Sequence, residues 1–124
     1  YVLNHDLVDL EKVKGINLRE FDECMEITDT SLINIANKCP SLDELNINRC
    51  VKITATGIVA IAEKFGAQLR ELYYNDCVNC GNVAFESIVM HCTQLERLEA
   101  NNTGITVIPE MIGEKLPLLK YHIT

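Results

Sequence analysis

Cys77 and Cys80 stand three residues apart, with His91 and Cys92 downstream, and thiols and imidazoles at such spacings are what a tetrahedral zinc site uses. The same residues could supply a nucleophile, since a thiolate needs a histidine base beside it in a cleft. Each reading meets a difficulty. His91 and Cys92 are adjacent in sequence, so on a helix their side chains diverge by about 100°. Cys77 and Cys92 recur at fixed places in a periodic pattern, which suits small apolar packing residues on opposite sides of the cross-section better than shared ligands. No Gly-rich phosphate loop follows a strand, and no carboxylate pair is set apart from the general surface charge. The sequence therefore predicts no enzyme, no metal and no cofactor.

The periodic pattern decides how these residues are positioned. Leu42, Leu45, Ile47 and Cys50 form a template that returns as Leu69, Leu72, Tyr74 and Cys77, and again as Leu95, Leu98, Ala100 and Thr103. Leu45 and Leu72 are 27 residues apart, and Leu72 and Leu98 are 26 apart. Read as strands, Leu45 and Ile47 share one face while Glu44, Asn46 and Asn48 share the other. Behind each strand an apolar stripe at i, i+3, i+4, i+7 predicts a helix. The stripes are Leu32, Ile35, Ala36 and Cys39, then Ile58, Ile61, Ala62 and Phe65, then Phe85, Ile88, Val89 and Cys92. Thr28 or Asp29 caps the helix over 29–38 and Pro40 stops it; Thr54 or Thr56 caps the next, with Gly66 as its stop.

The two ends are less regular. Residues 1–12 read as a capping segment or the end of a preceding repeat, and the chain as a piece of something longer. The first strand falls over 15–20, with Ile16 and Leu18 inward. Two registers fit it, and the one that puts Phe21 in the cysteine-like place avoids burying Arg19 unpaired. After Asn101 the spacing shortens to 23 residues at Leu118, leaving room for only a brief helix near Met111, Ile112 and Leu116 before a last strand through Tyr121 and Ile123.

These residues resemble the leucine-rich repeat superfamily. Leu42 to Cys50, Ile53-Thr54, Ile27-Thr28 and Cys39-Pro40-Ser41-Leu42 are similar to the cysteine-containing subfamily best known from F-box proteins; Asn101 to Pro109 is closer to a shorter repeat type. Cys80-Gly81, Phe65 and Thr103 depart from the pattern. The resemblance implies an α/β fold, a leucine-rich-repeat solenoid: a right-handed curved horseshoe with a parallel concave sheet and convex helices, about four and a half repeats over 13–124. It also implies a non-catalytic protein-protein interaction module that binds its partner through the concave face. Its alternatives are the substrate-recognition region of an F-box-type ubiquitin ligase component and a structural assembly factor of a mitochondrial complex.

On that face the outward positions fall into columns: Gly15, Glu44, Glu71, Arg97 and Lys120; Asn17, Asn46, Tyr73, Glu99 and His122; Arg19, Asn48, Asn75, Asn101 and Thr124. Tyr73 is the expected anchor, because a large amphipathic ring in the middle of a wet surface is a frequent contact residue. Glu44, Asn46, Glu71, Asn75, Arg97, Glu99 and Lys120 complete the expected partner-binding set, acidic toward Glu44 and basic toward Lys120. The asparagines also have a structural use, bonding the turn backbone of the adjoining repeat.

The expected partner is another protein, with the domain serving as an adaptor in a larger complex. A net charge of −7 works against nucleic acid and anionic membranes, and no apolar run is long enough to span a bilayer. Six cysteines that follow the repeat read as reduced thiols, which points to an intracellular place, cytoplasmic or nuclear.

Overall fold

The computed structural model describes residues 26–124 and the backbone of Gly15–Asn17. The expected capping segment at 1–12 and the alternative registers around Arg19 and Phe21 lie outside the described residues. The elements run β1 (Gly15–Asn17), α1 (Asp29–Lys38), β2 (Glu44–Asn46), α2 (Ala55–Phe65), β3 (Glu71–Tyr73), α3 (Gly81–His91), β4 (Arg97–Glu99), α4 (Ile112–Lys115) and β5 (Lys120–His122). Residues 26–124 thus hold four parallel strands and four helices, and β1 adds a strand at the far edge.

Each strand pairs in parallel with its sequence neighbour, and the sheet order is β1-β2-β3-β4-β5. The helices likewise pack on their sequence neighbours, α1 on α2 and α2 on α3. Strand order never reverses, so the described sheet has no crevice of the kind that opens where it does.

One core runs between the two layers. Leu45, Ile47, Leu72, Tyr74, Leu98 and Ala100 fill it from the strands; Leu32, Ile35, Ile58, Ile61, Phe65, Phe85 and Ile88 fill it from the helices. Alternation puts the strand residues inward and the 3.6-residue period puts the helix residues inward, so both layers bury one face and wet the other.

Side chains from one unit also tie down the next. The Asp29 carboxylate accepts hydrogen bonds from Thr54 N–H at 2.9 Å, Gly57 N–H at 3.1 Å and Thr54 Oγ1 at 2.5 Å, so the first residue of α1 holds the start of α2. Gly57 must lack a side chain there, because a Cβ would stand 2.5 Å from Asp29 Oδ1 and 2.8 Å from Leu32 Cδ1. Near the strand ends Asn48 Oδ1 accepts from Asn75 N–H at 2.8 Å, and Asn75 Oδ1 accepts from Asn101 N–H at 2.9 Å. This amide ladder fixes the turns in which Arg49, Asp76 and Asn102 adopt positive φ.

The fold class implied by the resemblance is corrected. A leucine-rich-repeat horseshoe is a solenoid whose curvature accumulates over a long regular array. Here the strands are three residues long, and at a spacing of roughly 4.8 Å five of them span about 19 Å. After α3 the helix shrinks to four residues. The described residues form a small single α/β domain with a parallel sheet.

Gly66 is corrected as well. It stops α2 with right-handed backbone (φ −51°), not the left-handed conformation of a glycine cap. Glycine is required because a Cβ would collide with the carbonyl oxygens of His91 and Ala62.

Candidate functional site

The strands begin in one row, and a ladder of backbone bonds builds it. Arg70 N–H and Glu71 N–H donate to Asp43 C=O, Glu96 N–H and Arg97 N–H to Arg70 C=O, and Lys120 N–H to Glu96 C=O. Just upstream, Leu69 and Leu95 are fully buried anchors, so the chain surfaces at Arg70 and at Glu96-Arg97 as it enters each strand. Leu118 occupies the corresponding place before β5, but it is 54% exposed.

Arg70, Glu71, Glu96, Arg97, Leu118 and Lys120 together line an open groove of about 650 Å³ at these strand starts. Strand register sets Glu71 beside Arg97 and Arg97 beside Lys120. Arg70 Nε meets Glu96 Oε2 at 3.4 Å, a pair exposed on both sides and therefore weak. Glu71 is engaged elsewhere: Tyr73 Oη donates to its Oε1 at 2.5 Å. Among the described residues no carboxylate stands in ion-pair contact with Arg97 or Lys120. Three cations therefore meet two carboxylates in this groove, on a chain whose net charge is −7.

Tyr73 is half-buried, and its pKa is pushed up to about 12 by burial first and by the Glu71 carboxylate second, with Arg97 acting in the opposite direction. Tyr73 is thus a neutral hydrogen-bond donor across the physiological range.

The structure brings together part of the partner-binding set expected from the sequence. Glu71, Arg97 and Lys120 line the groove, and Glu44 extends their row beside Glu71. Asn46 is only 5% exposed, and its Oδ1 accepts from Asn48 N–H at 3.2 Å. Asn75 is held by the amide ladder and donates from Nδ2 to Glu99 Oε1 at 3.0 Å. Arg70, Glu96 and Leu118 were not among the expected residues. For Arg70 and Glu96 the signal was a charge directly after a buried leucine at a strand start.

The strand-face interaction surface implied by the resemblance is corrected too. Much of that face is occupied by its own bonds, Tyr73 to Glu71, Asn75 to Glu99 and Asn46 to its own turn, rather than presenting free recognition groups.

The thiols take no part in the groove. Cys39, Cys50, Cys77, Cys80 and Cys92 are all buried. Cys77 Sγ donates to Ile47 C=O at 3.1 Å and Cys80 Sγ lies 3.7 Å from Ile53 C=O, so both lean on the preceding unit. Burial pushes the pKa of the Cys80 and Cys92 thiols up to about 12, so these two stay protonated at neutral pH. No three His, Cys, Asp or Glu residues among those described come together as a metal-ligand set. No described helix is long and apolar enough to cross a membrane.

No family model matches the chain, and no curated protein matches it. The small single α/β domain described above overturns the identification as a cysteine-containing, F-box-type leucine-rich repeat protein. Substrate recognition for a ubiquitin ligase and assembly of a mitochondrial complex rested on that name alone, and they fall with it.

Proposed function

We propose that this domain binds a short acidic segment of another protein, without catalysis, in the groove at the strand starts. The observation that carries this reading is the pair of exposed cations, Arg97 and Lys120, held side by side by strand register with no carboxylate in contact. Arg97 presents a planar fork suited to a carboxylate, Lys120 adds a point charge, and Leu118 supplies apolar surface beside them.

Charge also limits the partner. The whole chain repels polyanions, and screening confines that repulsion to a range of about 8 Å at physiological ionic strength. A segment with one or two carboxylates gains the local contacts without meeting the full repulsion, whereas a nucleic acid meets it along its length.

The test is fluorescence anisotropy with a labelled peptide of alternating glutamate and valine. Wild type and Lys52→Glu, an exposed charge change outside the groove, should bind alike, while Arg97→Glu/Lys120→Glu should lose binding with its circular dichroism unchanged. Equal binding by the groove variant would remove the reading.

A further inference from the structure

We infer that the bound segment also carries a basic residue, four positions from its carboxylate, which reaches Asp43 across Arg70; this rests on the groove reading and specifies the partner's charge pattern. A second depression, of about 240 Å³, is lined by Ser41, Leu42, Asp43, Gln68 and Arg70. Arg70 lines the groove as well, so the two are compartments of one surface along the starts of β2, β3 and β4. Asp43 is fixed there by its backbone, since its C=O accepts from Arg70 N–H at 2.8 Å and from Glu71 N–H at 3.1 Å. The residue is exposed, and among the described residues no cation stands in ion-pair contact with its carboxylate. Arg70 turns to the β4 side instead, where its Nε meets Glu96 Oε2 at 3.4 Å.

The surface therefore carries one sign at each end, cationic at Arg97 and Lys120 and anionic at Asp43. Asp43 directly precedes β2, while Arg97 and Lys120 open β4 and β5. With strands roughly 4.8 Å apart, the point midway between the two cations lies about 12 Å from the start of β2. An extended chain rises about 3.3 Å per residue, so its residues i and i+4 stand about 13 Å apart and share one face. A peptide laid across the strand starts thus rests a carboxylate between Arg97 and Lys120 and places an ammonium group over Asp43. Ser41 and Gln68 surround that ammonium with further hydrogen-bonding groups. A purely acidic segment meets repulsion at Asp43, and a purely basic one meets it at Arg97 and Lys120, so the arrangement selects a segment of mixed sign.

The probe is Glu-Val-Ala-Val-Lys with both termini blocked, compared with the same peptide whose lysine is Nε-acetylated. Acetylation removes the ammonium charge and keeps the length of the side chain. The spacing fixes the separation of the charges and not the chain direction, so both peptides are also made in reverse order. In one of the two orders wild type should bind the lysine form about threefold more tightly, the size of an exposed ion pair. Asp43→Asn should erase that preference and leave affinity for the acetylated form unchanged. Glu63→Gln, the same change of charge on the exposed side of α2, should keep it. Equal binding of the two forms in both orders would overturn the inference and leave the groove reading in place. A preference that survives Asp43→Asn, or falls as far in Glu63→Gln, would do the same. No binding of either form by wild type would overturn both.

Discussion

The middle of this domain and its C-terminal end are built from the same alternation of apolar and polar residues, yet they end in different states. In β3 the inward Leu72 is 1% exposed, and Tyr74 just beyond it is fully buried; both have a neighbouring strand on each side and helices behind. In β5 all three residues are exposed, Tyr121 to 45%, and the helix leading into it has four residues in place of eleven. The pattern in the sequence only nominates a face for burial. A layer on both sides, and a helix long enough to cover the strand, turn that nomination into core. Cations and exposed apolar surface consequently meet at the starts of β4 and β5.

The largest effect that separates the two regions is truncation on the same face. Leu72→Ala removes a side chain enclosed by β2, β4 and the helix layer, and should cost about 2–5 kcal/mol in urea unfolding. Tyr121→Ala at the register-linked position of β5 should cost less than about 1 kcal/mol, because half of that ring already meets water. Equal losses would show that β5 is covered as tightly as β3.

Much of this contrast was legible beforehand, and the reasons are local. The helix over 29–38 announced itself by four apolar residues at helical spacing, a threonine before it and a proline after it; all four are buried, and Thr28 is the N-cap. The inward strand residues from Leu45 to Ala100 followed from period-two alternation and are buried. Two kinds of information were missing. Leu118 reads like Leu69 and Leu95, and nothing in the residue itself tells that it is 54% exposed where they are buried. Asn46 reads as an outward polar residue, yet its amide folds back onto Asn48 N–H and is buried. The groove depends on which side chains three strands bring side by side, and that is settled by register and not by local pattern.

A middle-sized effect tests how the units are joined. Asp29 spends its carboxylate on Thr54 and Gly57 at the start of α2, whereas Asn82 at the start of α3 accepts from Thr106 N–H at 2.9 Å and Val107 N–H at 3.4 Å with a neutral amide. Bonds to a charged acceptor are the stronger kind. Asp29→Ala should therefore destabilise by about 2–3 kcal/mol, and Asn82→Ala by about 1 kcal/mol, since its bonds are exposed. The comparison fails if the asparagine variant loses as much as the aspartate variant.

The smallest effect carries the opposite sign. Tyr74 is fully buried, yet its hydroxyl has no hydrogen-bond partner; the nearby Thr103 hydroxyl donates to Ala100 C=O at 3.0 Å instead. A buried hydroxyl without a partner costs free energy, whereas the ring around it contributes packing. Tyr74→Phe keeps the ring and removes the cost, so it should leave stability unchanged or raise it by about 1 kcal/mol. Tyr121→Phe at the exposed end should change it by less than about 0.5 kcal/mol. The difference at Tyr74 should also grow with pH. Burial above all, and the neighbouring thiols after it, hold its pKa above the ordinary tyrosine value of 10.0, so the folded state keeps the proton that the unfolded state releases. That stabilisation is complete below pH 10 and is lost as the pH rises above it, which costs wild type and leaves the phenylalanine variant untouched. Urea titrations at pH 8 and pH 10.5 should therefore show the variant gaining on wild type; a constant gap would mean that the Tyr74 hydroxyl reaches water in the folded protein.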